Sequence, residues 1–155
     1  VLTSASGILL GASGAVTITG AVNITSSLQC DSIVNDTGLA AGTFSPVRSA
    51  EVNISPDVTM SEGQYMRVGN TVTMSGGFTA DPILTVTATS FEFTLPVASN
   101  LGAIEDLAGV AFAGGIAGLG AEIRGSVANN TAVVRWVSGD VTSQVWSYTL
   151  TYQVI

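Results

Sequence analysis

Apolar and polar residues alternate with a period of two in short runs through most of this chain, the pattern of half-buried β-strands. Val47–Ile54 and Tyr65–Val68 are the first candidates in the body of the chain. Thr71–Ser75 follows, returning antiparallel across Gly69-Asn70, a turn pair of the kind that closes tight hairpins. Gly76-Gly77 predicts a bulge before Phe78 resumes the strand, and Asp81-Pro82 predicts a turn. Leu84–Thr89 alternates again, and Phe91–Leu95 sets Phe91, Phe93 and Leu95 on one face before Pro96 ends it. Leu107–Phe112 reads equally as a strand or a short helix. Ala121–Val127 and Thr131–Val137 read as a hairpin around Asn129-Asn130. Gln144–Ile155 alternates throughout, with Trp146, Tyr148, Leu150, Tyr152 and Val154 in one register. No long stripe of helical period occurs. The expected class is all-β, an antiparallel β-sandwich or jelly roll.

The amino-terminal part differs in texture. Residues 14–19 (GAVTIT) and 20–25 (GAVNIT) form a tandem hexapeptide in which Val and Ile alternate with Thr or Asn. So light a strand gains little stability alone, so it is expected to stack as a β-solenoid or to wrap around identical chains as a shaft-like arm in which Val16, Ile18, Val22 and Ile24 bury one face against symmetry mates, the alternative being a single long edge strand kinked at Gly20. Residues 26–45 are polar and turn-rich and read as a linker or crossing segment. The division expected is an arm with its linker over 1–42 and a β-domain over 43–155.

Composition narrows the function. The 155 residues include four basic residues, all Arg, eleven acids, and neither Lys nor His. Histidine acid–base chemistry, lysine Schiff bases and Walker-type phosphate binding are therefore excluded. A net charge of −7 argues against nucleic-acid binding, which needs a basic face. Only 10% of residues are charged and the mean hydropathy is +0.52, which points to self-association that covers part of the surface. The most apolar run, Leu107 to Leu119, is short and broken by Gly, so no membrane insertion is expected, and Ile8–Leu10 is too short for a signal-peptide core. A chain beginning at Val1 without Met reads as a processed or excised piece. Cys30 stands alone, so no intramolecular disulfide is expected, and without a His partner it reads as a small apolar filler.

Carboxylate pairs remain as candidate chemistry. Glu105-Asp106 are adjacent, and Glu51, Asp57 and Glu62 cluster loosely, but adjacent strand residues point to opposite faces. No catalytic residue is assigned and the chain is read as a non-enzyme. Asp31 with Asn35-Asp36 lacks the oxygen density of a calcium loop, so neither metal nor cofactor is expected. Arg67 and Arg135 are expected to pair with acids or cross a subunit boundary. Trp136 and Trp146, each in an apolar strand, are expected in a core or interface rather than on a sugar-stacking platform.

One ordered set of short motifs carries a resemblance. Tyr65-Met66-Arg67-Val68-Gly69-Asn70, Val72-Thr73 and Ser75-Gly76 are followed by Asp81-Pro82, Leu95–Asn100, Ala117-Gly118 with Gly120-Ala121, and the terminal Thr151–Ile155. Together they resemble a carboxy-terminal domain of tail-fibre and other virion proteins of tailed bacteriophages, over residues 43–155. The resemblance implies a virion location, a homotrimer, and attachment of a fibre to a host-surface receptor, possible glycans included. Capsid decoration through neighbouring virion proteins is the alternative, and it brings no catalytic residue with it. Receptor or partner contacts are expected in loops at Asp81, Asn100, Glu105, Asp106, Asn129 and Asn130, since loops on a rigid scaffold carry recognition. A secreted carbohydrate-binding module with an exposed Trp is the competing reading from another class.

Overall fold

In a computed structural model, residues 39–155 are described. They form strands β1 (Leu39–Phe44), β2 (Arg48–Val52), β3 (Thr59–Met60), β4 (Gly63–Val68), β5 (Thr71–Ala80), β6 (Ala88–Phe93), β7 (Leu107–Ala113), β8 (Gly120–Ser126), β9 (Thr131–Val137) and β10 (Gln144–Gln153). One 3-10 turn, Ile104–Asp106, precedes β7. Every pairing is antiparallel, in the order β1-β4-β5-β10-β7-β8-β9-β6-β2, with β3 beside β5. The protein is all-β, in the sandwich and jelly-roll class that its alternation predicts.

The sheet curls until its inner faces meet. Phe78 on β5 packs edge-on against Phe91 on β6 with ring centroids 4.9 Å apart, although β10, β7, β8 and β9 lie between those strands along the sheet. Phe93 on β6 likewise reaches Tyr148 on β10 at 5.3 Å. The two edge strands are consecutive in the chain, joined only by Ser45-Pro46-Val47. Beyond their ends, Ile54 bridges Pro82, and the Ser55 N–H donates to the Asp81 carbonyl at 3.0 Å.

The core is aromatic and follows the predicted registers. Trp146, Tyr148, Leu150 and Tyr152 alternate inward along β10, as do Phe91 and Phe93 on β6. Trp136 and Trp146 are both buried, with centroids 5.1 Å apart, so the core placement of the indoles holds. The Tyr152 hydroxyl is tied to the Val97 backbone, accepting its N–H at 3.0 Å and donating to its carbonyl at 2.8 Å. Among the described residues, the Tyr148 hydroxyl and the Trp146 indole N–H are buried with no hydrogen-bond partner.

Burial pushes the Tyr148 phenol strongly upward and that of Tyr152 to about 12 from an ordinary 10.0, the latter against the opposing pull of the Val97 hydrogen bond and Arg67. An unfolded tyrosine ionises near pH 10 whereas these folded ones stay neutral. Their contribution to stability is therefore full below pH 10 and is lost as pH rises through about 12. Urea midpoints measured by near-UV circular dichroism should hold level up to pH 9 or so and fall steeply above pH 10. Replacing Tyr152 with Phe should flatten part of that fall.

Three local expectations are corrected and one open alternative is resolved. The segment 26–45, read as a linker, contains β1: Leu39–Phe44 pairs along its whole length with β4, so the sheet begins before Thr43. Gly76-Gly77 keeps β5 in unbroken register with β10, from Thr71↔Gln153 to Ala80↔Gln144, and the irregularity lies on the other side, where residues 61–63 between β3 and β4 face Gly76-Gly77 and the register shifts by one (Met60↔Phe78, Gln64↔Ser75). Glycine is needed at 76 for a different reason: a Cβ there would lie 2.6 Å from the Tyr148 hydroxyl oxygen. Leu84–Thr87 is a loop rather than a strand, and pairing starts at Ala88. Asn53 holds that loop, its amide donating to the Leu84 carbonyl at 3.0 Å and its side-chain oxygen accepting the Leu84 N–H at 2.9 Å. The ambiguity over Leu107–Phe112 resolves as strand β7.

Candidate interaction site

The outer face of the curled sheet divides into two electrically unlike halves. On that face β6, β8 and β9 carry Glu92, Glu122, Arg124 and Arg135, and the edge strand β2 adds Arg48, in register with inward Phe93, and Glu51. Glu122 lies 3.8 Å from Arg124 and 3.9 Å from Arg135, its cross-strand partner, so Arg135 pairs with an acid as expected. Arg48 is held between Glu51, at 3.1 Å, and Asp57. The loose trio of acids read from the sequence is thus partly neutralised: two of its carboxylates share one guanidinium, and the Glu51 oxygen also accepts the Val58 N–H at 2.8 Å.

The neighbouring strands β5, β10 and β7 contain no charged residue. β4 adds only Arg67, which sits in register with buried Val72 on the inner side and donates its Nε–H to the Gly69 carbonyl at 2.8 Å. Among the described residues Arg67 pairs with no acid, the first of the two roles expected of it. Outward positions of this half include Met66 and Val68; Thr71, Thr73 and Ser75; Val145, Ser147, Thr149 and Thr151; and Ala108, Val110 and Phe112, with Gln64, Gly77, Thr79 and Gln153 completing the strands. Thr73 and Thr151 hydroxyls meet across the β5–β10 pair at 3.2 Å. Phe112 and Val145 are 59% and 66% exposed.

The predicted loop contacts fall at two ends of the sheet. Asp81 follows Ala80, beside the Gln144 end of β10, whereas the 3-10 turn precedes Leu107 beside the Tyr152 end. Asn100, Glu105, Asp106, Asn129 and Asn130 gather at that second end, where the Asn130 side-chain oxygen accepts the Leu101 N–H at 2.9 Å. Asn130 itself has φ +56°, a left-handed conformation that Asn tolerates well in a tight turn. The Asn129 amide donates to Glu92 at 2.9 Å, and Glu92 also accepts the Thr131 hydroxyl at 2.6 Å. Asp106 accepts the N–H groups of Gly102 and Ala103, both at 2.8 Å, which ties down the turn. Asn100 and Glu105 are exposed.

Because Asp106 satisfies two backbone donors, Asp106→Ala should lower stability by about 1–2 kcal/mol, as loss of a capping carboxylate does. Asp106→Asn, which keeps an accepting oxygen, should recover at least half of that loss in denaturant melts.

The arm residues Val16, Ile18, Val22 and Ile24 lie outside the described residues, as do Cys30 and the Asp31, Asn35 and Asp36 group. Among the described residues no cluster of three or more Cys, Asp and Glu side chains is placed to hold a metal ion, and no helix is long and apolar enough to cross a membrane. An open groove over Val52, Ser90, Glu122, Arg135 and Val137 reaches Trp136, a residue only 6% exposed that offers no stacking platform. Comparisons with protein-family models, with curated proteins and with solved structures find no match.

Proposed function

We propose that this chain is a non-enzymatic structural protein of a tailed-bacteriophage virion, a homotrimeric fibre domain that mediates attachment to a host surface. The observation that carries the self-assembling part of this reading is the uncharged outer half of the sheet, set on a chain of net charge −7 and bearing exposed Phe112, Val110 and Val145. A domain that meets water on all sides would gain from charge there; a domain that meets its own copies would not. The resemblance in residues 43–155 supplies the virion setting. Burial of both indoles favours this reading over a sugar-binding module.

The attachment surface in this reading is the end that carries Asn100, Glu105 and Asn129. Asp106 and Asn130 shape that end through their backbone hydrogen bonds. Static light scattering of the full chain tests the assembly, with a mass near three times 15.6 kDa expected and a monomer at all concentrations counting against it. Antibody labelling of phage particles tests the location. Label at fibre ends is expected, label over the capsid would mean decoration, and no label would remove the virion role.

A further inference from the structure

We infer that the uncharged outer face of β4, β5, β10 and β7 is the surface on which a second copy of this chain docks. The inference rests on the self-assembling reading above and assigns it a place within the described residues.

Three observations select a copy as the occupant. The first is charge. Every copy carries −7, so two copies come into close contact at least electrostatic cost through faces that lack acids. Here the acids stand around the face and not on it: Glu62 precedes β4, Asp81 follows β5, Asp140 precedes β10, and Glu105-Asp106 precede β7. That arrangement is an uncharged centre with a charged rim, the ordinary anatomy of an interface.

The second is extent. Strands of 6, 10, 10 and 7 residues, at about 3.3 Å per residue and about 4.8 Å between strands, make a plane of roughly 500 Å². Once side-chain relief is added, this approaches the roughly 800 Å² that each partner contributes to a standard stable interface.

The third is relief. Met66 and Val68 form one apolar ridge on β4, while Val110 and Phe112 form another on β7. Between them β5 and β10 make a floor mostly of Thr, Ser and Gly, with Val145 and Gln153 at its two ends. The Phe112 ring lies over Gly120, where a Cβ would stand 3.3 Å from the ring. A ridge of one copy set on the floor of the next is a self-complementary fit. The two unlike ridges also allow each copy to meet two neighbours, as a closed ring of three requires.

The test uses the full chain and sedimentation velocity over a range of concentrations. Phe112→Glu places a charge on the β7 ridge, and Thr149→Glu places one on the β10 floor. Both side chains point to solvent, so either variant reports even if the other folds poorly. Each should weaken self-association on the order of a hundredfold or more. Val137→Glu, equally exposed but on the charged half, should leave it unchanged. Raising salt from about 50 to about 500 mM should tighten wild-type association, because screening relieves repulsion between like-charged copies. If wild type assembles and neither Phe112→Glu nor Thr149→Glu weakens it, the face is wrong while self-assembly stands. Association that weakens with salt would also overturn the face, since ion pairs would then hold the copies together. A wild type that stays monomeric overturns the inference together with the reading on which it rests.

Discussion

Replacing Phe78 with Ala should cost about 4 kcal/mol, a large part of the 5–15 kcal/mol that ordinarily separates a folded domain from its unfolded chain. Phe78 is 1% exposed and stacks on Trp146 at 5.5 Å, with rings only 10° from parallel. It also meets Phe91 edge-on at 4.9 Å and approaches Trp136 and Tyr148 at 6.4 and 6.3 Å. Its removal opens a cavity where the two halves of the curled sheet touch, walled by rigid rings that collapse poorly into the space. Phe78→Leu should retain more than half of the lost stability. Equilibrium urea unfolding followed by Trp fluorescence measures both, and a loss under 1 kcal/mol for Phe78→Ala would mean that the curl does not depend on this ring.

Gly109→Ala should cost about 3 kcal/mol and lower the melting temperature by roughly 10 °C. A Cβ at position 109 would stand 2.5 Å from the Thr149 carbonyl oxygen and 2.5 Å from the Leu150 Cβ. The first of these is backbone, in the strand to which β7 is hydrogen-bonded, with Gly109 directly opposite Leu150. Relief therefore requires β7 and β10 to part. Adding Leu150→Ala should not restore stability, because the carbonyl clash remains and a buried leucine is lost as well. A Gly109→Ala protein melting within 2 °C of wild type would show that the two strands separate at little cost.

The sequence makes some of these strands legible and hides others for identifiable reasons. The hairpin across Gly69-Asn70, the hairpin ending at Asn129-Asn130 and the inward register of β10 follow from alternation and turn residues, which act over a few positions. Leu84–Thr87 has the same alternation and yet loops out. Asn53 takes its backbone hydrogen bonds, and Val86 sits at φ +53°, where a β-branched residue is strained. β1 is hidden for the opposite reason. Its sequence, LAAGTF, is rich in small residues, and pairing with β4 rather than intrinsic propensity makes it a strand.

The candidate site divides in the same way. The loops holding Asn100, Glu105, Asp106, Asn129 and Asn130 are visible as breaks in alternation, but their meeting at one end, without Asp81, depends on which strands are neighbours. So does the uncharged face. The absence of charge from β5, β7 and β10 can be read from the residues, but their adjacency is long-range pairing that no local pattern encodes.

The place of β10 in the middle of the sheet has a consequence for how the chain is made. β10 is the last strand in sequence, yet both its neighbours wait for it: Gln153 bonds to Thr71 across 82 residues, and Leu107 lies opposite Tyr152. Until residues 144–153 have left the ribosome, β5 and β7 each keep an unpaired edge on an uncharged strand, which is the kind of edge that pairs with the wrong chain. Closing such distant contacts is also slow. Nascent polypeptides should therefore be open to proteases along β5 and β7 until residues 144–153 have emerged and become resistant once they have, which brief proteolysis of ribosome-bound chains of graded length would time.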